Sequence, residues 1–348
     1  MFLKFFGVRE QPFGVTPDPR YLYLSSAHRE ALASLFYGIE VGRGFLALIA
    51  KPGMGKTTLL FHLLEKFRSS ARTAFLFQTQ CTSREFMRFL LAELGYETGD
   101  QDFVRMHEEF NRHLLREARA GNRFIVVVDE AQNLDPSVLE TIRLLSDFET
   151  PRAKLLQIVL AGQPELADKL ASRNLAQLRQ RISLVIGLKP LSLEDTRNYI
   201  QHRLRVAGYE GPSLFTPQAL LDTVDFTEGI PRNINNFCFN AMSLACAMRQ
   251  KTIDAAIVRE VIADLDISQH LSEARAAEPA TGRIEPGGAD GVAYDWSIPR
   301  TAEMFGHAAA SPQAQPVPRE RGKDESLTPT EARAYLEQIA RSLKGGHS

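Results

Sequence analysis

The sequence has little that marks a secreted, disulfide-held or membrane-spanning protein. Its 348 residues include three cysteines, Cys81, Cys238 and Cys246, with no CxxC spacing among them. Neither a disulfide framework nor a thiolate metal site is suggested, and reduced buried thiols are the expectation. No uninterrupted apolar run approaches the roughly 18–20 residues that a spanning helix needs. The opening "MFLKFFGVREQPF" carries Lys4, Arg9 and Glu10 and lacks a long apolar core, so a secretory signal is not expected. There is no excess of either charge: 41 basic residues stand against 42 acidic ones, a net charge of -1. That balance demands neither nucleic acid nor an anionic membrane as partner, although it leaves a local basic face open. There is a single tryptophan, Trp296. His107 and His113 lie on one helical stretch at a spacing that shares no face, which argues against a metal pair. No Ser-His-Asp or Cys-His constellation is legible. A soluble, cytoplasmic protein is the expectation.

What is present is a chain long enough for a substantial core, with 44% hydrophobic and 24% charged residues, ordinary values for a globular protein. Up to about Ile267, apolar strand-like runs alternate with amphipathic helical stretches. "FLALIA" (residues 45–50), "TAFLFQ" (73–78), "RFIVVVDEA", "LLQIVLAGQPEL" and "ISLVIGLKPL" read as strands. They are continuous rather than alternating, which points to parallel strands covered on both faces. A helix from Lys56 to about Phe67 follows the first strand, and helices ending near Gly95 and Gly121 follow the second. From about Ser192 the period is helical throughout. Ser192 with Asp195, and Thr216 followed by Pro217, mark helix starts. The run "MSLACAM", with Met242 and Met248, reads as helix core. The fold expected is therefore α/β with a parallel sheet over residues 1–191, including an N-terminal arm, then an all-α lid over 192–267. Residues 268–348, poor in large aliphatics, read as a disordered tail. Within that tail, Trp296 and a capped helix at 329–344 read as docking elements.

Five short stretches carry chemistry. "AKPGMGKTT" (residues 50–58) follows the first strand and approximates the Gly-x4-Gly-Lys-Ser/Thr phosphate-binding pattern, with Ala50 in place of its first glycine. Backbone N–H groups would converge on a phosphate at the positive end of a helix. Gly53 and Gly55 admit the turn, Lys56 reaches β/γ oxygens, and Thr57 offers a hydroxyl to Mg²⁺. Ala50 can serve if its φ is negative, with Pro52 helping to fix the turn. "VVVDEAQNL" places Asp129 and Glu130 at the carboxyl end of a strand, where α/β sheets bind ligands. Asp129 would hold Mg²⁺ through water and Glu130 would orient an attacking water. "LAGQPEL" places Gln163 at another strand end, within reach of a γ-phosphate or bonded to backbone. "LRQRI" offers Arg179 and Arg181, as an arginine finger for a neighbouring subunit or as surface cations. "GIPRNIN" puts Arg232 in the first turn of a helix, where a cation opposes the dipole unless it faces an anion.

Those motifs, in that order with a helical domain behind, resemble an AAA+ ATPase. More narrowly, "FFGVREQPFGVTPDPRYLYLSSAHREALASLFYGI" is similar to the opening of the general secretion pathway protein A type ATPases and their exosortase-locus and pilus-biogenesis relatives. The resemblance spans about residues 1–267. It implies ATP and Mg²⁺ as cofactors and a P-loop NTPase fold. It implies a Walker A loop made of Ala50, Lys51, Pro52, Gly53, Met54, Gly55, Lys56, Thr57 and Thr58, and a Walker B pair in Asp129 and Glu130. Gln163 would be sensor 1, Arg179 or Arg181 the finger, and Arg232 sensor 2. It places the Tyr21–Leu24 segment near the adenine and the nucleotide between two domains. It further implies a nucleotide-dependent ring, hexameric in the family, that works on an inner-membrane secretion, pilus or export complex. Departures from the pattern are Ala50, Lys51 where relatives often carry an acid, and Gln163 where Asn is frequent. The membrane span and peptidoglycan-binding domain of long members are not seen in the sequence. A DNA-associated AAA+ regulator, of the transposition-helper or initiator kind, is the alternative.

Overall fold

The computed structural model describes residues 2–14, 18–77, 79–99, 101–150 and 153–265. Trp296 and the helix expected at 329–344 lie outside the described residues. The described chain divides into two compact units. One gathers residues 26–52 and 59–188; the other gathers the N-terminal arm up to Ser25, the turn Gly53–Thr58 and the chain from Lys189 onward.

The first unit is the α/β one. Its strands are β1 (Phe45–Ile49), β2 (Ala71–Leu76), β3 (Arg123–Val128), β4 (Glu149–Thr150), β5 (Ala153–Lys154), β6 (Leu156–Gly162) and β7 (Ile182–Gly187). Five of them form one parallel sheet in the order β2-β3-β6-β1-β7, while β4 and β5 make a small antiparallel hairpin. Leu46 lies opposite Val159 on one side and Leu184 on the other, and Val126 opposite Ala74 and Ile158. All seven residues of β6 are buried. Helices cover both faces of such a strand, so its residues are apolar except for Gln157, whose Oε1 accepts the Gly44 N–H at 2.8 Å. At the edge the rule relaxes: β7 alternates, and Val185 is 61% exposed. β2 begins two residues earlier than the sequence suggests, because Ala71 and Arg72 already pair with Arg123 and Phe124 of β3.

Local signals fix the covering helices. Thr82 and Glu85 close a capping box on the helix Ser83–Glu93, and Asp102 caps Phe103–Arg119 by accepting the Arg105 N–H. Phe86, Phe110, Phe124 and Leu160 are among the fully or nearly fully buried residues of the sheet-helix core. Burying each such side chain stabilises by about 1.5–3 kcal/mol before entropy is counted. The expected histidine pair serves packing: His113 stacks on Tyr96 with ring centroids 3.7 Å apart, and His107 lies 5.0 Å from the Phe148 ring.

The second unit is helical: Leu193–Val206, Pro217–Thr227, Pro231–Ala247 and a helix over 255–265. Ser192 accepts the Asp195 N–H, and Thr216 accepts that of Ala219 with Pro217 in the first turn. The core of Ile234, Phe237, Cys238, Ala241 and Met242 also holds Phe6, Val8, Phe13 and Tyr21 of the N-terminal arm. The arm thus joins the helical unit rather than the sheet, because its aromatic side chains are buried there. Arg203 secures it. The guanidinium sits 4.7 Å from the Tyr21 ring centroid and donates to Pro12 O at 2.6 Å, Gly14 O at 3.4 Å and Tyr199 Oη at 3.0 Å. Met242 is core as expected, whereas Met248 is 46% exposed, since it is the C-cap residue and leaves the buried stripe.

Candidate functional site

The sequence-predicted residues fall into two groups, one in each unit. In the α/β unit, β1 runs into Ala50, whose N–H donates to Gly162 O at 3.1 Å. Ala50 is 4% exposed, and the described non-glycine residues with positive φ are Glu130, Glu228 and Arg249. Ala50 is not among them, so this strand-end position asks nothing of the backbone that a Cβ forbids. Lys51 and Pro52, which follow, are exposed.

The turn itself does need glycine. Gly53 has φ 77° and Gly55 φ 85°. A Cβ on Gly53 would lie 2.6 Å from Arg232 Cβ and 3.3 Å from Ile230 Cγ2. Gly53 O accepts the Arg232 N–H at 3.2 Å. Met54 and Lys56 are buried, and Lys56 opens the helix Lys56–Lys66 with Thr57 and Thr58 half-buried behind it. A Gly-rich turn at a helix N-terminus presents converging N–H groups and the positive end of the helix dipole, which suits an anion. Arg232 stands exposed in the first turn of Pro231–Ala247. The lead-in is fixed by Gly229 at φ 65°, whose carbonyl accepts the Leu191 N–H at 2.9 Å and whose Cα faces the Leu191 carbonyl with no room for a Cβ.

In the α/β unit, adjacent strands bring the acids and Gln163 together. Asp129 continues β3 by donating its N–H to Leu76 O at 2.9 Å, and its side chain is buried. Its Oδ1 accepts the Glu130 N–H at 2.9 Å. Glu130 takes the left-handed conformation, φ 51° and ψ 36°, ahead of a short 3-10 turn, Ala131–Asn133. Its Oε2 accepts Gln163 Nε2 at 3.0 Å and Gln132 Nε2 at 2.6 Å. Gln132 Oε1 in turn accepts the Gln163 N–H at 3.1 Å, and Lys169 Nζ donates to the carbonyls of Gln132 and Leu134. Gln132 and Lys169 are additions to the residues that the sequence suggested. The only trace of them there is position: Gln132 two residues past Glu130, and Lys169 on the helix that starts after Gln163.

The two arginines differ from each other. Both lie on the helix Ala176–Arg181. Arg179 is exposed and donates to Ala171 O at 2.8 Å. Arg181 makes an ion pair with Asp147, which also lies 3.7 Å from Arg143. Among the described residues no group of three or more His, Cys, Asp or Glu side chains gathers as a metal cage, and no helix is long and apolar enough to cross a membrane. Burial raises the pKa of the Cys81 and Cys238 thiols, which keeps them protonated and inert.

The AAA domain family model matches residues 39–170, from the helix before β1 to the one after β6. General secretion pathway protein A of Aeromonas hydrophila is 43% identical over 249 residues, 71% of this chain and 45% of that protein. An uncharacterized HTH-type transcriptional regulator of Methanocaldococcus jannaschii is 29% identical over 175 residues, 47% of this chain and 42% of that one. The chain therefore spans less than half the length of either relative. Among solved structures, the Aeropyrum pernix ORC2 protein in its ADPNP-ADP complexes has a TM-score of 0.56 at 15% identity, covering 73% of this chain and 71% of that one. This last likeness is one of fold: a parallel P-loop sheet with a helical C-terminal part.

Proposed function

Since the chain carries an AAA domain and is similar to General secretion pathway protein A, we propose that it is an ATP hydrolase whose work is to assemble or remodel a secretion, pilus or export complex at the inner membrane. The observation that carries the reading is the turn of two left-handed glycines, Gly53 and Gly55, delivering Lys56 and Thr57 at a helix N-terminus. That arrangement suits the phosphates of a nucleoside triphosphate, here read as ATP. In this reading Lys56 meets the β/γ oxygens and Arg232 the γ-phosphate. Glu130 orients the attacking water and Gln163 holds the carboxylate and the water in register. The Tyr21–Leu24 segment lies toward the adenine.

In this reading a Mg²⁺ ion would arrive with its nucleotide, and Thr57 and Asp129 are the residues that would hold it. Mg²⁺ takes one or two protein ligands plus phosphates and waters. A buried strand-end carboxylate and a hydroxyl are donors of that kind, and no all-protein cage is found among the described residues. Bound there, the ion would neutralise charge on the transferring phosphoryl group.

Hydrolysis in this reading needs a neighbour's arginine, in a nucleotide-stabilised ring of six, with Arg181 or Arg179 as the finger. Three variants test it. Lys56→Ala should abolish ATP binding. Glu130→Gln should keep binding and lower hydrolysis by roughly a hundredfold or more. Arg181→Ala should also be inactive, yet an equal mixture with Glu130→Gln should regain activity, because each supplies what the other's sites lack. Wild-type turnover by Glu130→Gln would overturn the enzyme reading, and no regain by Arg181→Ala or Arg179→Ala mixtures would overturn the shared site.

The similarity to an HTH-type transcriptional regulator favours a second reading, a DNA-associated regulator. Duplex binding that weakens steeply with salt would support it, and no binding at low salt would remove it.

A further inference from the structure

Gln132 bears no chemistry that a scan for catalytic residues selects, yet it closes a ring with Glu130 and Gln163. Its Nε2 donates to Glu130 Oε2 at 2.6 Å and its Oε1 accepts the Gln163 N–H at 3.1 Å. Gln163 Nε2 completes the ring on the same Glu130 oxygen at 3.0 Å. The amide orientation of Gln132 follows from these partners. Exchanging its oxygen and nitrogen would set an oxygen against a carboxylate and an NH₂ against an N–H.

The surroundings hold this ring in one place. Lys169 Nζ donates to Gln132 O at 2.5 Å and Leu134 O at 2.8 Å, pinning the turn that carries Gln132 to the helix that follows Gln163. Gly162 leaves the space: a Cβ there would lie 2.8 Å from Gln132 Oε1 and 2.7 Å from Leu166 Cδ2. Glu130 itself is in the left-handed region, a conformation that costs about 1–2 kcal/mol for a residue with a Cβ. Such strain persists where neighbours over-determine the backbone. The three contacts around Glu130 do that.

We infer that Gln132 is a positioning residue for hydrolysis: it fixes the rotamer of the Glu130 side chain and keeps the Gln163 amide aligned with it. The inference rests on the reading of Glu130 as the group that orients the attacking water. Removing one of the two amide donors leaves the Glu130 side chain free to leave its productive rotamer. Nucleotide binding, carried by other residues, should not change.

The test is steady-state ATP hydrolysis, with nucleotide affinity and Tm measured alongside, for Gln132→Ala and Gln132→Glu. Gln132→Glu keeps the shape and the acceptor for the Gln163 N–H but replaces the donor by a like charge. For both variants kcat should fall roughly ten- to a hundredfold. KM for ATP should stay within about threefold, so that the loss falls on kcat. A folded Gln132→Glu with wild-type kcat would overturn the assignment. No hydrolysis by the wild type would overturn the functional reading beneath it, so the two failures are distinct.

Discussion

The backbone N–H of Arg232 donates to the carbonyl of Gly53 at 3.2 Å, and the Arg232 Cβ stands so close that Gly53 has no space for a side chain. The phosphate-type turn and the helix that carries Arg232 are therefore joined through main chain. Gly53→Ala meets both a left-handed φ and a 2.6 Å approach to Arg232 Cβ. It should cost about 2 kcal/mol or more and lower Tm by several degrees, with loss of nucleotide affinity beyond the stability change. Calorimetry and titration with a fluorescent ATP analogue check both parts.

Ala50 is the contrasting position. Its backbone is not left-handed, and its N–H is already held by Gly162. Ala50→Gly should therefore change ATP affinity by no more than about threefold, well under 1 kcal/mol. A large gain in affinity would mean that the alanine impairs the loop.

Arg203 is buried among Pro12 O, Gly14 O and Tyr199 Oη. Arg203→Met fills the volume but strands those acceptors, at a cost of about 2–4 kcal/mol. The N-terminal arm should become the first site of proteolytic cleavage. Limited proteolysis read by mass spectrometry, beside a Tm, decides it. An arm that stays protected would show that Phe6, Phe13 and Tyr21 hold it unaided.

His113 has both ring nitrogens buried without a hydrogen-bond partner among the described residues. Burial, then the nearby Arg116 charge, holds its pKa below the usual histidine value, while Glu109 opposes the shift. A folded-state pKa below the unfolded one means that its contribution is present above the unfolded value, near 6.5, and is lost as pH falls through that value toward the folded one. The Tm of the wild type should drop between pH 7 and pH 5. His113→Phe, which keeps the stack on Tyr96, should lose less across the same window.

Much of this architecture was legible because it rests on local rules. Continuous apolar runs ending in Asp129 and Gly162 announce interior parallel strands, and Ser192 and Thr216 announce helix starts. The turn at Gly53 and Gly55 is legible for the same reason, whereas the sequence did not show that Gln163 would bond the Glu130 carboxylate. What escaped the sequence depends on partners far along the chain. Nothing in "MFLKFFGVREQPF" says which of two cores its aromatics enter, because periodicity reports that a residue is buried and not against what. Gln132 escaped because an amide is defined by its neighbours, and those neighbours sit 31 residues away at Gln163. The left-handed Glu130 was hidden likewise, since no glycine or asparagine flags it. The Asp147 partner of Arg181 belongs to a loop whose position follows from β4 and β5, two short strands without a pattern of their own.

The sheet order also sets a schedule for folding. β1 precedes the Gly53 turn in the chain but lies between β6 and β7, so Leu46 pairs with Val159 and Leu184, more than 110 residues downstream. Contacts so distant in sequence close late, after their loop entropy has been met by other structure. A nascent chain that has emerged only as far as β3 can pair β2 with β3 but leaves β1 with no neighbour on either side. The ribosome must release about 190 residues before the strand leading into the turn is fixed, so truncation products ending before β7 should be unable to retain nucleotide.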